Sequence, residues 1–273
     1  MRKPLGYNAH MQVSPSSERI AALAGATAAQ VAIEVVAETG STNADLLARV
    51  PQLTQPVLRW ALAQTAGRGR AGRQWLAPEN SALTFSLAWR LRIPLQALSG
   101  LSLAVGVALS RALAQLGVDT RLKWPNDLLR DGAKLAGVLI ETAIDRQDRQ
   151  AIWVVIGIGL NLTQSQNLSA QLARAVADVG EVHVDREQWM AVFLAELSSM
   201  LAVFEQEGFA PFVGEWNALD AYAGREVVIL DQGRELHHGY TAGVDASACL
   251  QLDTQEGRVS VAVGDVSLRM TEH

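Results

Sequence analysis

The sequence predicts an α+β fold: a mixed or antiparallel sheet with helices packed on it, followed by a small C-terminal β barrel. Three observations predict it. The 273 residues are 49% apolar and 19% charged, enough for one large core and a smaller one. Strand-like apolar runs recur between residues 31 and 161, mostly divided by turns too short to hold crossover helices, and long helical patterns occur only at 98–116 and 185–206. From residue 224 the texture changes to short alternating runs separated by polar, glycine-bearing turns, the spacing of a small barrel. These observations divide the chain into 1–30, 31–219 and 220–273.

In order, residues 1–17 contain Pro4, Gly6 and Pro15 and read as a tail, and 18–25 as a short helix. Residues 31–37 (VAIEVVA) form a strand, and Ser41, Thr42 and Asn43 cap a helix over 44–49. Strands at 57–64 and 83–91 deliver and receive the loop between them. After Pro94 the apolar helix 98–116 is core, stopped by Gly117. Three strand-like pieces follow at 123–128, 134–141 and 152–161, divided by Asp131-Gly132 and a polar run at 145–150. Asp185 with Gln188 resembles a capping box opening a helix that Gly208 ends. Runs at 226–230, 235–240, 248–252 and 258–263 build the barrel.

The most informative stretch is 67–73, GRGRAGR, three glycines and three arginines between two strands. Glycine lets backbone approach a ligand, and guanidinium forks match phosphate or carboxylate oxygens. Gly67, Gly69 and Gly72 satisfy G-x-G-x-x-G, but Pro78, Asn80 and Ser81 prevent the helix a dinucleotide motif must open; Arg73 and Gln74 stand where a P-loop needs Lys and Ser or Thr. The loop is an anion clamp. Its glycines and like charges predict a segment that orders only around an anion.

The formal net charge is −5, so the basic loop stands out against an acidic body, which disfavours generic nucleic-acid or anionic-membrane binding. The lone Cys249 suits a reducing cytosol, and no export signal or membrane span is legible in the first residues or the apolar segments.

Four pieces stand together: STN at 41–43, QTAGRGRAGRQW at 64–75, KWPND at 123–127, and KLAG at 134–137 followed by GIGLN at 157–161. In order and wording they resemble the biotin protein ligases. The resemblance covers the chain from about residue 31 and implies a biotin/lipoate ligase-like catalytic domain with an SH3-like C-terminal barrel. It implies joining of biotin to AMP at the cost of ATP with Mg²⁺, then transfer to a lysine of the biotin carboxyl carrier protein of acetyl-CoA carboxylase or a related carboxylase. Lys134, Arg68 and Arg70 are the implied catalytic residues, because a carboxylate attacking an α-phosphate needs cations between two anions. Biotin falls to Ser41, Thr42, Asn43, Gln64, Arg68, Gly69, Arg70, Lys134, Gly137, Gly157 and Gly159; ATP falls to Arg70, Arg73, Lys123, Asn126, Lys134 and Asn161. Asp127 braces its turn or helps hold Mg²⁺, Trp75 supports the loop or belongs to the core, and Arg269 reaches towards the nucleotide.

Taken alone, Lys134 reads as an ion-pair lysine, Ser41 to Asn43 as helix caps, Gln64 as a solvated strand end, and each strand glycine as a bulge. Only the words around them reverse this. Two departures matter. About thirty residues precede the first catalytic strand, too few for a helix-turn-helix module, so a monofunctional ligase without DNA binding is expected. No aromatic residue lies in 162–180 to cover adenine. Lipoate ligation and non-catalytic biotin or nucleotide sensing are the competing functions; a cytoplasmic monomer or homodimer is expected.

Overall fold

The computed structural model describes residues 15–77, 81–145, 148–163, 165–172, 175–182, 184–231, 233–264 and 266–270. Most of the expected tail, with Pro78, Asn80 and part of the 145–150 run, lies outside them. The first element among the described residues is helix α1 (Ser17–Ala24), capped by Ser16 and ended by Gly25. Strand β1 (Ala32–Thr39), helix α2 (Thr42–Arg49), β2 (Val57–Gln64) and β3 (Ala82–Leu91) follow, then the long helix α3 (Leu101–Gln115). Next come β4 (Arg121–Lys123), β5 (Asp127–Arg130), β6 (Ala133–Ile144) and β7 (Ile152–Asn161). Helices α4 (Ser165–Leu172), α5 (Arg186–Glu207) and α6 (Val213–Leu219) lead to β8 (Glu226–Asp231), β9 (Arg234–Val244), β10 (Leu250–Thr254), β11 (Gly257–Val261) and β12 (Val266–Met270).

The first sheet has the order β1-β2-β3-β7-β6-β5-β4. Only β1 and β2 are parallel, joined across α2, and every other pair is antiparallel, so the sheet is mixed. Asp131 and Gly132 both take positive φ, 51° and 77°, in the two-residue turn from β5 to β6. The strand expected over 123–128 is instead two, because the Trp124-Pro125 turn reverses the chain between β4 and β5.

Apolar residues of β3 and β7 bury both faces of the sheet centre. Trp60, Phe85, Leu87, Val154 and Ile156 face α3 and α5, whereas Val57, Ala88, Trp153 and Val155 face Leu46 and Val50 at α2. The helical stretch Leu95–Gln115 that ends in α3, and helix α5, are long and apolar enough by composition to cross a membrane, yet α3 and α5 pack on each other and on the sheet, where Leu103, Val107, Phe193 and Leu197 are at most 1% exposed. Ile20 of α1 is also fully buried, so this short helix belongs to the core. The expected capping box at Asp185 is not made: its carboxylate pairs with Arg19 and offers the helix no side-chain bond.

The second sheet is antiparallel in the order β11-β10-β9-β8-β12, with β11 and β12 as its edges among the described residues. It has the strands of a small SH3-like barrel without the closure. The segment leading into it lies along β4, where Ala221 N donates to Leu122 O at 2.8 Å, and Val227, Ile229, Leu250 and Leu268 of the sheet join the main apolar core.

Asp220 sits at this junction, 8% exposed. One carboxylate oxygen accepts from Tyr222 N at 2.9 Å, and the other has no partner among the described residues. Burial therefore pushes its carboxyl above the ordinary range. A folded-state pKa above the unfolded one means that the native protein holds this proton more tightly. The associated stability is present below the unfolded value and is lost as pH rises through the raised one. Asp220→Asn is expected to stabilise the protein at pH 8 by about 1 kcal/mol, with little gain at pH 4, since a neutral amide costs less to bury than a charge. Thermal melts at the two pH values test this, and a lower Tm at pH 8 would refute it.

Candidate active site

The site is built where the α2 face of the first sheet loses its side chains. Cross-strand partners there run in three rows: Ala88, Val155 and Glu141; Ser86, Gly157 and Leu139; Thr84, Gly159 and Gly137. The first row packs against α2, and by the third two of its three positions are bare backbone. The result is a cleft of about 1160 Å³, open to solvent. Close approach explains two of the glycines. A methyl at Gly157 would overlap the Asn43 amide, and one at Gly159 would overlap the Trp75 indole, which also lies against Gly137. In this structure these glycines admit side chains of the protein itself.

One end of the cleft is neutral and polar. Ser41 caps α2, its Oγ accepting from Ala44 N at 3.5 Å, which brings Thr42 and Asn43 into the first turn beneath the sheet. Thr42 N donates to Gln64 Oε1 at 2.8 Å, the Thr42 and Ser86 hydroxyls lie 2.6 Å apart, and Ser86 Oγ donates to Asn43 Oδ1 at 2.5 Å. Asn43 Nδ2 then donates to Glu141 Oε2 at 2.9 Å. The structure thus joins Thr42, Asn43 and Gln64 through two residues that the sequence reading did not single out, Ser86 and Glu141. A serine inside the apolar run LTFSLAW, and a glutamate at even spacing from Gly137 on β6, were the available signals. Ser86→Ala leaves two buried polar groups short of a partner and is expected to cost about 1–3 kcal/mol of stability. Urea unfolding checks this, with an unchanged midpoint as the contrary result.

The other end is cationic. Its loop is a small hairpin, with Gly69 N bonded to Arg73 O at 2.7 Å and Trp75 N to Gly67 O at 3.0 Å, around a turn where Ala71 and Gly72 have φ of 52° and 70°. Backbone bonds and two arginine contacts hold the segment in this hairpin form. Arg68 Nη2 donates to Glu141 Oε2 at 2.7 Å; Arg70 Nη1 donates to Asn126 Oδ1 at 3.0 Å, and Nη2 to the carbonyl of Gly264. Asn126 is held by Val138, its Nδ2 donating to Val138 O at 2.7 Å. Lys134 Nζ, from β6, bonds Asp127 Oδ1 at 2.5 Å and lies 5.8 Å from the Trp75 ring centroid. Lys123 Nζ lies 5.3 Å from the Tyr222 ring.

Arg68, Arg70, Arg73, Lys123, Lys134 and Arg269 line the cleft with Asp127 as its only carboxylate among the described residues. The field there favours anions. Every site residue singled out from the sequence lines it except Asn161, which is 3% exposed and braces the backbone: its Nδ2 donates to Ala177 O at 3.0 Å and Lys134 O at 3.4 Å. The segment expected near adenine contributes α4 and a backbone bridge from Val176 to Lys134. Val266 to Arg269 of β12 close the cleft from the second sheet.

A neutral polar pocket facing a cluster of cations, with a lysine between, suits a small acid held by its head and activated at its carboxylate. Fold and site thus define an acid-activating ligase of the biotin/lipoate type, and residues 33–161 match the Biotin/lipoate A/B protein ligase family. The chain is 35% identical over 244 residues to the bifunctional ligase/repressor BirA of Escherichia coli, covering 88% of this chain and 75% of that one. It is 36% identical over 251 residues to the biotin–[acetyl-CoA-carboxylase] ligase of Mycobacterium tuberculosis, covering 89% and 91%. The biotin protein ligase from Aquifex aeolicus in complex with biotin and ATP superposes with a TM-score of 0.75 at 28% identity, over 88% of this chain and 99% of that one. The chain belongs to the biotin protein ligase family.

Proposed function

We propose that this protein is an ATP-dependent biotin ligase that forms biotinyl-5′-AMP and passes the biotinyl group to one lysine of a carboxylase biotin carrier domain. The observation that carries this reading is the two-ended cleft, with amide and hydroxyl groups at one end, arginines at the other and Lys134 beside the second. Biotin has a ureido head of two N–H donors and one carbonyl, and an anionic tail. Ser41, Thr42, Asn43 and Gln64 suit the head, and the Asn43 and Trp75 side chains that rest on the glycine strands at Gly157, Gly159 and Gly137 suit the ring and chain as a wall. Gly69 and the Arg68 and Arg70 side chains suit the tail and the adenylate.

In the first half-reaction a carboxylate oxygen of biotin attacks the α-phosphorus of ATP, and the bond to the β-phosphate oxygen breaks to release pyrophosphate. Lys134 and Arg70 offset the repulsion between the two anions and the charge that builds on the phosphoryl oxygens. Lys123, Asn126 and Arg73 hold the triphosphate, with Arg269 reaching in from β12 and Asn161 steadying the backbone of Lys134. Mg²⁺ bound with the nucleotide would neutralise phosphate charge, and Asp127, the carboxylate that lines the cleft among the described residues, would help hold it. In the second half-reaction the carrier lysine, as the free amine, attacks the acyl carbon; AMP leaves with the bonding pair and the new amide sheds a proton.

Residues 31–219 supply the catalytic part and 220–273 the unit that closes it. The acidic body supports a cytoplasmic role without DNA or membrane targets. The neutral relay of hydroxyl and amide groups favours a ureido head over a dithiolane ring, which has neither N–H nor C=O. The deciding experiment supplies purified protein with Mg-ATP, a carrier domain, and either biotin or lipoate. Mass gain of one biotinyl group on the carrier supports the reading; gain with lipoate alone, or ligand binding without turnover, overturns it.

A further inference from the structure

We infer that Glu141 is a positioning residue of this site, one that sets the orientation of the Asn43 amide and latches the arginine hairpin to the wall of the acid pocket. The inference deepens the biotin ligase reading and rests on it. A single carboxylate oxygen, Oε2, accepts from Asn43 Nδ2 at 2.9 Å and from Arg68 Nη2 at 2.7 Å. An ionised carboxylate only accepts, so Asn43 must turn its NH₂ towards β6, where Leu139 O accepts from the same nitrogen at 3.4 Å. That turns Asn43 Oδ1 to the other side, over Gly157, where Ser86 Oγ donates to it at 2.5 Å. An amide oxygen has two lone pairs, and one remains for an N–H donor of the ligand head. With the amide reversed, the pocket would present a donor and repel that N–H.

The second bond ties Arg68, 43% exposed, to the sheet body without calling on the loop backbone. One carboxylate therefore reports pocket orientation to the hairpin. Glu141 does not contact Lys134, which lies seven residues earlier on β6, roughly 23 Å along an extended strand, and it meets the cationic group through Arg68 alone. Its loss is expected to act on acid binding and loop closure, and to leave the reacting centre alone.

Glu141→Gln keeps the shape, and its one amide oxygen can still take the place of Oε2, but it removes the charge that strengthens both bonds and leaves the amide free to turn its NH₂ towards the two donors. In biotin-dependent ATP–pyrophosphate exchange this variant is expected to raise KM for biotin about tenfold or more, the scale of one charge-assisted bond, with kcat and KM for ATP within about twofold. In ligand-free protein, trypsin should cleave the hairpin at Arg68, Arg70 and Arg73 faster than in the parent, at a Tm within a few degrees. Glu141→Ala should show both effects more strongly, and where it folds poorly the Gln variant decides. An unchanged KM for biotin, or a fall in kcat at constant KM, overturns the inference. Should the parent show no exchange with biotin, the ligase reading fails, and the ligand-free cleavage still judges the latch: equal rates in parent and variants sink it.

Discussion

Lys134→Ala is expected to lower biotin-dependent pyrophosphate exchange by about a hundred- to a thousandfold, the scale measured when one group stabilising developing charge is removed from an active site. The side chain is 20% exposed and pairs with Asp127, 21% exposed, at 2.5 Å. Loss of this partly buried pair leaves the Asp127 carboxylate short of a partner and costs about 1–3 kcal/mol. The backbone around it is held independently, Lys134 O accepting from Ala177 N at 2.9 Å. Rate and stability should therefore separate, with a Tm only a few degrees below the parent. Exchange assays beside thermal melts test this, and an unchanged rate would remove Lys134 from the chemistry.

Arg70→Gly is expected to produce an enzyme that makes its intermediate and loses it. Biotinyl-AMP is a reactive mixed anhydride that must wait for a protein partner, and one charge-assisted contact to it is worth about 1.5–3 kcal/mol, or ten- to a hundredfold in retention. The same side chain is a strut, joining the hairpin to Asn126 and to the carbonyl of Gly264 beside the second sheet. Glycine removes both contacts and adds backbone freedom worth about 0.4–1 kcal/mol. The Gly69–Arg73 and Gly67–Trp75 backbone bonds remain, and so do Arg68 and Lys134, so adenylation continues at a rate lowered by the loss of the Arg70 charge. Escaped adenylate would acylate lysines at random. With biotin, ATP and an unrelated lysine-rich protein, avidin blots should show bystander labelling by the variant alone; equal, negligible labelling with normal adenylate synthesis in both would show that Arg70 does not retain the intermediate.

Much of the fold is legible before any coordinates because its signals are local. The Asp131-Gly132 pair demands a turn with positive φ, the apolar stripe of α3 demands burial, and the alternation after residue 224 demands short strands. The misreadings arise where a local signal competes with a distant partner. Asp185 has the residue type and spacing of a helix cap, but Arg19, 166 positions earlier, takes its carboxylate. The hairpin at 67–75 likewise leans on distant partners, Glu141, Asn126 and Gly264, that its own residues do not name.

The candidate site divides along the same line. Words such as GRGRAGR, KWPND and KLAG by themselves marked a glycine-rich cationic loop, a turn and a lysine, and their resemblance to the biotin protein ligases implied that the three belong to one centre. Strand register is a matter of tertiary pairing, and it alone decided that Ser86, Gly157 and Leu139 share a row, that Ala88, Val155 and Glu141 share the next, and that Asn43 fits against the bare backbone between them. Asn161 shows the converse: a member of a family word, it faces the backbone of Lys134 and Ala177 and not the cleft. A side chain's type is written in the chain, but its neighbours across a sheet are set by how seven strands pack, and hydrogen bonds that fade beyond about 3.5 Å can be read only once that packing exists.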